Sequence, residues 1–332
     1  MINIKISIPS GISSEQILRQ TPGQTGVWHN CKFYIKNELD KYDWWVIFHE
    51  SGLRHPEVVR CDANHTIYVS MEPNENVSRA THLFLDQFSS IIICDRNISH
   101  KNKVYKNLLT WWVGINVNHK NGSHHFSKSC NLDYDLLSAM KFPEKYKLIS
   151  IITSSKLTLP GHQKRIDFLN KLLKSNLGDK IDVFGGGYKP IPDKINAILP
   201  YKYHLVLENS FEMDYWSEKL ADAFLGFSYP IYYGCPNINE YFSHGSYSTI
   251  DIEDFENSLI KIHNILDENV FEKSHLLIKN SRELVLNKYN IFQLLSDICN
   301  CKAENSVDIK ILPNWHFKEF TLKKLLKKLI RF

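Results

Sequence analysis

A chain of 332 residues with 43% hydrophobic and 12% aromatic side chains has apolar area for about two domain cores of ordinary size, which excludes a disordered or fibrous protein. Its formal net charge of +4 is a local matter: six Lys and Arg against one Glu at 317–332 give +5 and leave residues 1–316 near −1, so no nucleic-acid partner is expected. No apolar run approaches the ~20 residues of a membrane-spanning helix, residues 1–10 lack a signal-peptide pattern, and seven cysteines without a CxxC pair read as reduced thiols, which together point to the cytosol.

Along the first part of the chain, residues 2–8, 44–49, 67–71 and 91–94 are apolar, β-branched or aromatic runs of strand length, as buried parallel strands require. A polar loop is expected at 119–129 and a helix at 132–140. A domain boundary follows, giving domains at 1–145 and 146–304 and a tail at 305–332.

The second part alternates strand and helix: a strand at 148–153, a helix at 163–174 with Ile166, Leu169, Leu172 and Leu173 on one face, and a strand at 181–184 ending in Gly185, Gly186 and Gly187. A strand at 204–208, a helix at 217–225 stopped by Gly226, and a strand at 230–233 closed by Gly234 come next. The expected fold class is α/β, with two Rossmann-like domains facing across a cleft lined by the carboxyl ends of their strands.

Residues 201–234 carry the chemistry. Glu208 and Asn209 fall at the end of a buried strand, and Ser217 is a candidate N-cap that puts Glu218 and Lys219 in the first helical turn while Leu220, Ala223 and Phe224 face the sheet. A lysine there opposes the helix dipole at a cost of about 0.3–1 kcal/mol, and a bound anion would reverse the sign. His162, Lys164 and Arg165 crowd the start of the preceding helix in the same way. Either set of cations could simply point into water; together they suggest one shared diphosphate.

The segment resembles the donor-binding motif of the α-1,3/4-fucosyltransferases, glycosyltransferase family ten, which reads F-E-N-S, then D-Y-x-T-E-K, then P-x-x-x-G. Leu207-Glu208-Asn209-Ser210 stands for the first element, Asp214-Tyr215-Trp216-Ser217-Glu218-Lys219 for the second with Ser217 replacing the usual Thr, and Pro230 to Gly234 for the third. Upstream, Arg165-Ile166-Asp167-Phe168 resembles the family's R-N-x-F helix start and Phe184-Gly185-Gly186-Gly187 its glycine run, so the similarity covers roughly 148–255. The resemblance implies the GT-B architecture and an inverting, metal-independent transfer of L-fucose from GDP-fucose to a glycan hydroxyl, with no cofactor. It further implies that Arg165 and Lys219 hold the diphosphate, that Asn209 and Glu218 bind ribose or sugar hydroxyls, that Tyr215 contacts the nucleotide, and that Gly185, Gly186 and Gly187 allow close approach. The family's general base, by the same resemblance, corresponds to Glu72 in the segment 70–76, with Glu75 the competing assignment. Alternatives are a transferase using another GDP-deoxysugar such as GDP-colitose, and a non-catalytic glycan- or nucleotide-binding protein of the same fold.

Other features are discounted or left open. Asp133 and Asp135 read as a favourable helix start rather than a metal site, and His119, His124 and His125 lack ligand spacing. Residues 49–52 and Trp111-Trp112 suit either an acceptor pocket or core packing. The tail sets Leu322, Leu325, Leu326, Leu329 and Ile330 on one stripe among its cations, which reads as an anchor to an anionic membrane surface, with docking on the protein's own surface as the alternative. The enzyme is then expected at the cytosolic face of a membrane, building a surface polysaccharide or lipopolysaccharide.

Overall fold

The computed structural model describes residues 1–70, 80–107, 110–120, 123–155 and 160–318. The chain forms two compact units, one of Met1–Leu108 with Ile291–Phe332 and one of Leu109–Asn290. The division therefore falls near 108 and again near 290, where the sequence reading sets it at 145, and the chain returns to its first unit at the end.

In the first unit, β1 (Ile2–Ser7), α1 (Ser14–Leu18), β2 (Val27–Trp28), β3 (Cys31–Tyr34), β4 (Trp44–Phe48), β5 (Glu57–Asp62), β6 (Thr66–Val69), α2 (His82–Leu85), β7 (Ser90–Ile92) and β8 (Lys103–Val104) follow one another. Seven of these strands form one sheet in the order β2-β3-β1-β4-β6-β7-β8, parallel except where β2 meets β3. All five residues of β4 are buried, as expected for a strand covered on both faces, which is why its sequence is a continuous apolar run.

In the second unit, β9 (Ile115–Lys120), β10 (Ser123–Cys130), α3 (Tyr134–Ala139), β11 (Lys147–Ile152), α4 (Pro160–Lys174), β12 (Ile181–Phe184), β13 (Tyr201–Leu207), α5 (Glu218–Leu225), β14 (Tyr229–Tyr233), β15 (Ser248–Thr249), α6 (Phe255–Asp267) and α7 (His275–Glu283) follow one another; the last five strands form a parallel sheet, order β12-β11-β13-β14-β15, with helices around it, and β9 and β10 pair apart from it. The helix α8 (Ile291–Ile298) and β16 (Ser306–Ile311) belong again to the first unit.

Two expectations are corrected here. The polar stretch at 119–129 is not a loop: β9 and β10 pair antiparallel, Ser123 opposite Lys120, because a two-stranded ribbon satisfies its backbone without needing an apolar face. The segment 305–332 does not start as a tail. Its first residues are β16, which pairs antiparallel with β5 and buries Ile311 in the core of the first unit. The stripe at 322–330 lies outside the described residues, as do Glu72 and Glu75.

Candidate active site

The strand β11 comes first in the chain within its sheet and pairs with β12 on one side and β13 on the other. Connections leaving in opposite directions open a crevice at the carboxyl ends of β11 and β13, the usual ligand position in such sheets. A cavity of ≈ 730 Å³ lies there, with Thr153, Arg165, Gly185, Lys194, Asn209 and Lys219 among its lining residues.

Backbone geometry brings its walls together. Gly185 takes φ +112°, and a Cβ on it would lie 2.0 Å from the carbonyl oxygen of Thr153, so only glycine lets the end of β12 close on that of β11. At the start of α4, a Cβ on Gly161 would lie 1.8 Å from the Asn209 carbonyl oxygen. The first turns of α4 thus abut the loop after β13, and the Arg165 Nη1 donates to Asn209 Oδ1 at 2.5 Å.

Ser217 is the N-cap of α5, as its sequence position suggests: its side chain accepts from the backbone N–H of Lys219. The cation that opposes the helix dipole is answered from within the chain. Glu208, fully buried, accepts from Ser217 N at 2.7 Å and Ser217 Oγ at 2.6 Å, and its Oε2 lies 3.2 Å from Lys219 Nζ. Lys194, on the short turn Lys194–Ala197, reaches Glu218 at 3.4 Å and Asp222 at 3.2 Å. The other oxygen of Asp222 accepts from the backbone N–H groups of Trp112 and Val113.

These contacts set the protonation states. Burial works against the charged form of Glu218, but Lys219 and Lys194 overcome it and hold the carboxyl down to about 2. Burial likewise opposes the Lys219 ammonium, yet Glu208 and Glu218 raise it above the ordinary lysine value. His204 is pushed down to about 3 by burial and is neutral, with Nδ1 2.8 Å from Ser150 Oγ.

Lys194 and Lys219 are thus shared among three carboxylates. Arg165 stands apart: it is 5% exposed, no carboxylate lies within 4.0 Å of it among the described residues, and its Nε has no hydrogen-bond partner there. Burial alone lowers its pKa, with Glu208 and Glu218 opposing from a distance. A desolvated guanidinium with a free donor edge on a cavity wall is a site for an anion.

Of the residues expected from sequence, the cavity unites Arg165, Gly185, Gly186, Asn209, Glu218 and Lys219. Gly187 and Tyr215 are off its described wall, and Tyr215 is buried. Other motif letters are supports. Asp214 holds φ +63° and accepts at Oδ1 from Asn237 Nδ2 and from the Tyr241 hydroxyl, both at 2.8 Å, pinning the loop before α5. Trp216 packs edge-on against Phe242 and Tyr289. Trp111 is core, while Trp112 serves through its backbone N–H and a ring 6.0 Å from Lys194 Nζ. Asp133 is the N-cap of α3, accepting from Leu136 N at 2.8 Å.

The sequence reading assigned no role to Lys194, Asp222, Thr153, His204 or the Glu208 carboxylate. Two of them left a signal: Glu208 by its place at a strand end within the first motif element, and Asp222 by its spacing of four from Glu218, which puts both on one helical face.

Residues 142–302 match the family described as glycosyltransferase family 10 (fucosyltransferase), C-terminal part. The chain is similar to a fucosyltransferase-like protein of Arabidopsis thaliana, 33% identical over 113 residues covering 33% of this chain and 21% of that protein. It is also similar to alpha-(1,3)-fucosyltransferase 4 of Mus musculus, 33% identical over 118 residues covering 33% of this chain and 26% of that one. The aligned stretch thus spans about a fifth to a quarter of those relatives' length. Among solved structures, an alpha1,3-fucosyltransferase with GDP aligns with a TM-score of 0.47 and 15% identity over 87% of this chain and 93% of that one. A trehalose-6-phosphate synthase aligns at 0.42 and 10% over 79% of this chain and 75% of that one.

Proposed function

We propose, from the match of residues 142–302 to glycosyltransferase family 10, the fucosyltransferases, that the chain transfers L-fucose from GDP-fucose to a hydroxyl of a glycan acceptor, inverting the fucosyl carbon and needing no metal. The observation that carries the reading is Arg165, a buried cation with no carboxylate partner among the described residues, on the wall of a cavity at the switch point of the sheet. As the glycosidic bond breaks, negative charge gathers on the departing diphosphate, so a cation fixed beforehand contributes more in the transition state than in the ground state. Lys219 adds a second positive group, and Glu218 and Asn209 offer acceptors for hydroxyls of the ribose or the sugar. In this reading Glu72 takes the proton from the acceptor hydroxyl, Glu75 being the alternative in the same segment.

Calorimetry with GDP and a transfer assay with GDP-fucose in excess EDTA test the proposal together. GDP should bind and transfer should persist. Arg165→Ala should remove a charge-assisted contact of about 1.5–3 kcal/mol and weaken GDP by roughly ten- to a hundred-fold or more. Glu72→Gln should leave GDP affinity unchanged and lower turnover by roughly 10² to 10⁴. A protein that binds no GDP, or that loses transfer on chelation, would overturn the reading.

A further inference from the structure

Glu208 has no part in the reading so far, although its side chain is wholly buried directly beside the cavity residues. Its environment is built to hold a charge in one place. Oε1 accepts from Ser217 N at 2.7 Å; Oε2 accepts from Ser217 Oγ at 2.6 Å and lies 3.2 Å from Lys219 Nζ. Ser217 Oγ in turn accepts from the Lys219 backbone N–H at 3.3 Å and from Lys219 Nζ at 3.0 Å. Behind the carboxylate, a Cβ on Gly234 would lie 2.5 Å from Glu208 Cγ and equally close to the Tyr232 hydroxyl, so a side chain at 234 would push Glu208 out of this place.

We propose that Glu208 is a positioning residue that acts through Lys219: its carboxylate, relayed by the Ser217 hydroxyl, anchors the first turn of α5 and holds the Lys219 ammonium on the cavity wall. The part Lys219 plays toward a diphosphate rests on the donor reading above. A free lysine loses much rotamer entropy when it grips a ligand, and a tether that orders the side chain beforehand removes that loss from the binding step. The same carboxylate places an anion at the start of α5, which is why a lysine is tolerated in its first turn. The motif spacing acquires a physical meaning: the strand-end Glu, the hydroxyl of the N-cap, the first-turn Lys and the Gly after β14 are four parts of one clamp.

Two readouts test it. Trace acetylation of the folded protein, read at Lys219 by mass spectrometry, should run about ten-fold faster in Glu208→Gln, where the amide cannot accept from all three donors. Ser217→Thr, which keeps the hydroxyl, should label like the wild type, and Ser217→Ala should label faster; this second variant keeps the test alive if Glu208→Gln does not fold. In GDP calorimetry, Glu208→Gln should weaken binding about ten-fold in the wild-type background and cause no further loss in Lys219→Ala, as expected for a residue acting through another. Unchanged labelling of Lys219, or additive losses in the double variant, would overturn the proposal. If GDP does not bind at all while labelling accelerates as stated, the donor reading fails and the clamp stands.

Discussion

Glu218 lies 3.4 Å from Lys194 Nζ and 3.8 Å from Lys219 Nζ, and the two ammonium groups hold its carboxyl at about 2 against an ordinary 4.5. A folded-state pKa below the unfolded one means that the unfolded chain binds more protons as the medium acidifies. The stabilisation is therefore complete above the ordinary carboxyl value and lost as pH falls through about 2. Urea unfolding of the wild type and Glu218→Gln should show a constant gap above pH ~5 that closes between about 4.5 and 2. His204, held neutral down to about 3, weakens both proteins together as pH falls from its ordinary 6.5, so it cancels from the comparison. A gap independent of pH would mean that Glu218 contributes through shape rather than charge.

Among the elements, the junction of β11 with β12 bears most directly on the cavity. Gly185 and Thr153 meet there with no room for a side chain, and both line the cavity. Gly185→Ala must relieve a left-handed φ and a 2.0 Å contact with a backbone oxygen, neither of which a neighbouring side chain can yield to. The variant should lose roughly 1–3 kcal/mol of stability and weaken GDP measurably, which thermal melts and calorimetry would check. Wild-type behaviour in both would show that the strand ends can part without cost. Elsewhere in this unit, Lys145 Nζ, which burial pushes down to a pKa of about 7, donates to the carbonyls of Leu199 and Gly226, each at 2.8 Å, and so ties the turn carrying Lys194 to the C-terminal end of α5.

At the scale of the whole molecule, the chain leaves the first unit at about residue 108 and comes back at about 291. The returning segment is structural. β16 pairs with β5 from Ser306 opposite Asp62 to Ile311 opposite Glu57, Leu312 and Gln87 exchange two hydrogen bonds, and Thr81 N donates to Asn314 Oδ1. Truncation after residue 305 should therefore expose the β5 edge, remove Ile311 from the core and lower the melting temperature sharply. Truncation after residue 318 should leave melting unchanged but abolish sedimentation with anionic vesicles, because the residues removed carry the leucine stripe and most of its cations. No helix among the described residues is long and apolar enough to cross a membrane. Vesicle binding that survives the shorter truncation would put the anchor elsewhere.

What could be read from the sequence alone is whatever depends on neighbours along the chain. The runs around β1, β4, β11, β12, β13 and β14 are apolar because both faces of a parallel sheet are covered, and their positions fall within a residue or three of the observed strands. Ser217 as N-cap follows from spacing of the same local kind, whereas the union of Arg165, Asn209, Glu218 and Lys219 on one cavity is expected from the resemblance of their motifs to the fucosyltransferase pattern. The tertiary structure alone decided what depends on distant partners. β5 and β16 lie more than two hundred residues apart, and although Val307, Ile309 and Ile311 alternate with polar residues as a strand's do, nothing along the chain names β5 as their partner; the β9–β10 ribbon is held by backbone bonds that any polar sequence can make. The sign of each charge's surroundings was decided in the same way. Lys219 is neutralised by Glu208 and Lys194 by Glu218 and Asp222, which leaves Arg165 as the described cavity cation without a carboxylate partner; such pairing depends on distances of a few ångströms between elements, which spacing along a chain does not specify.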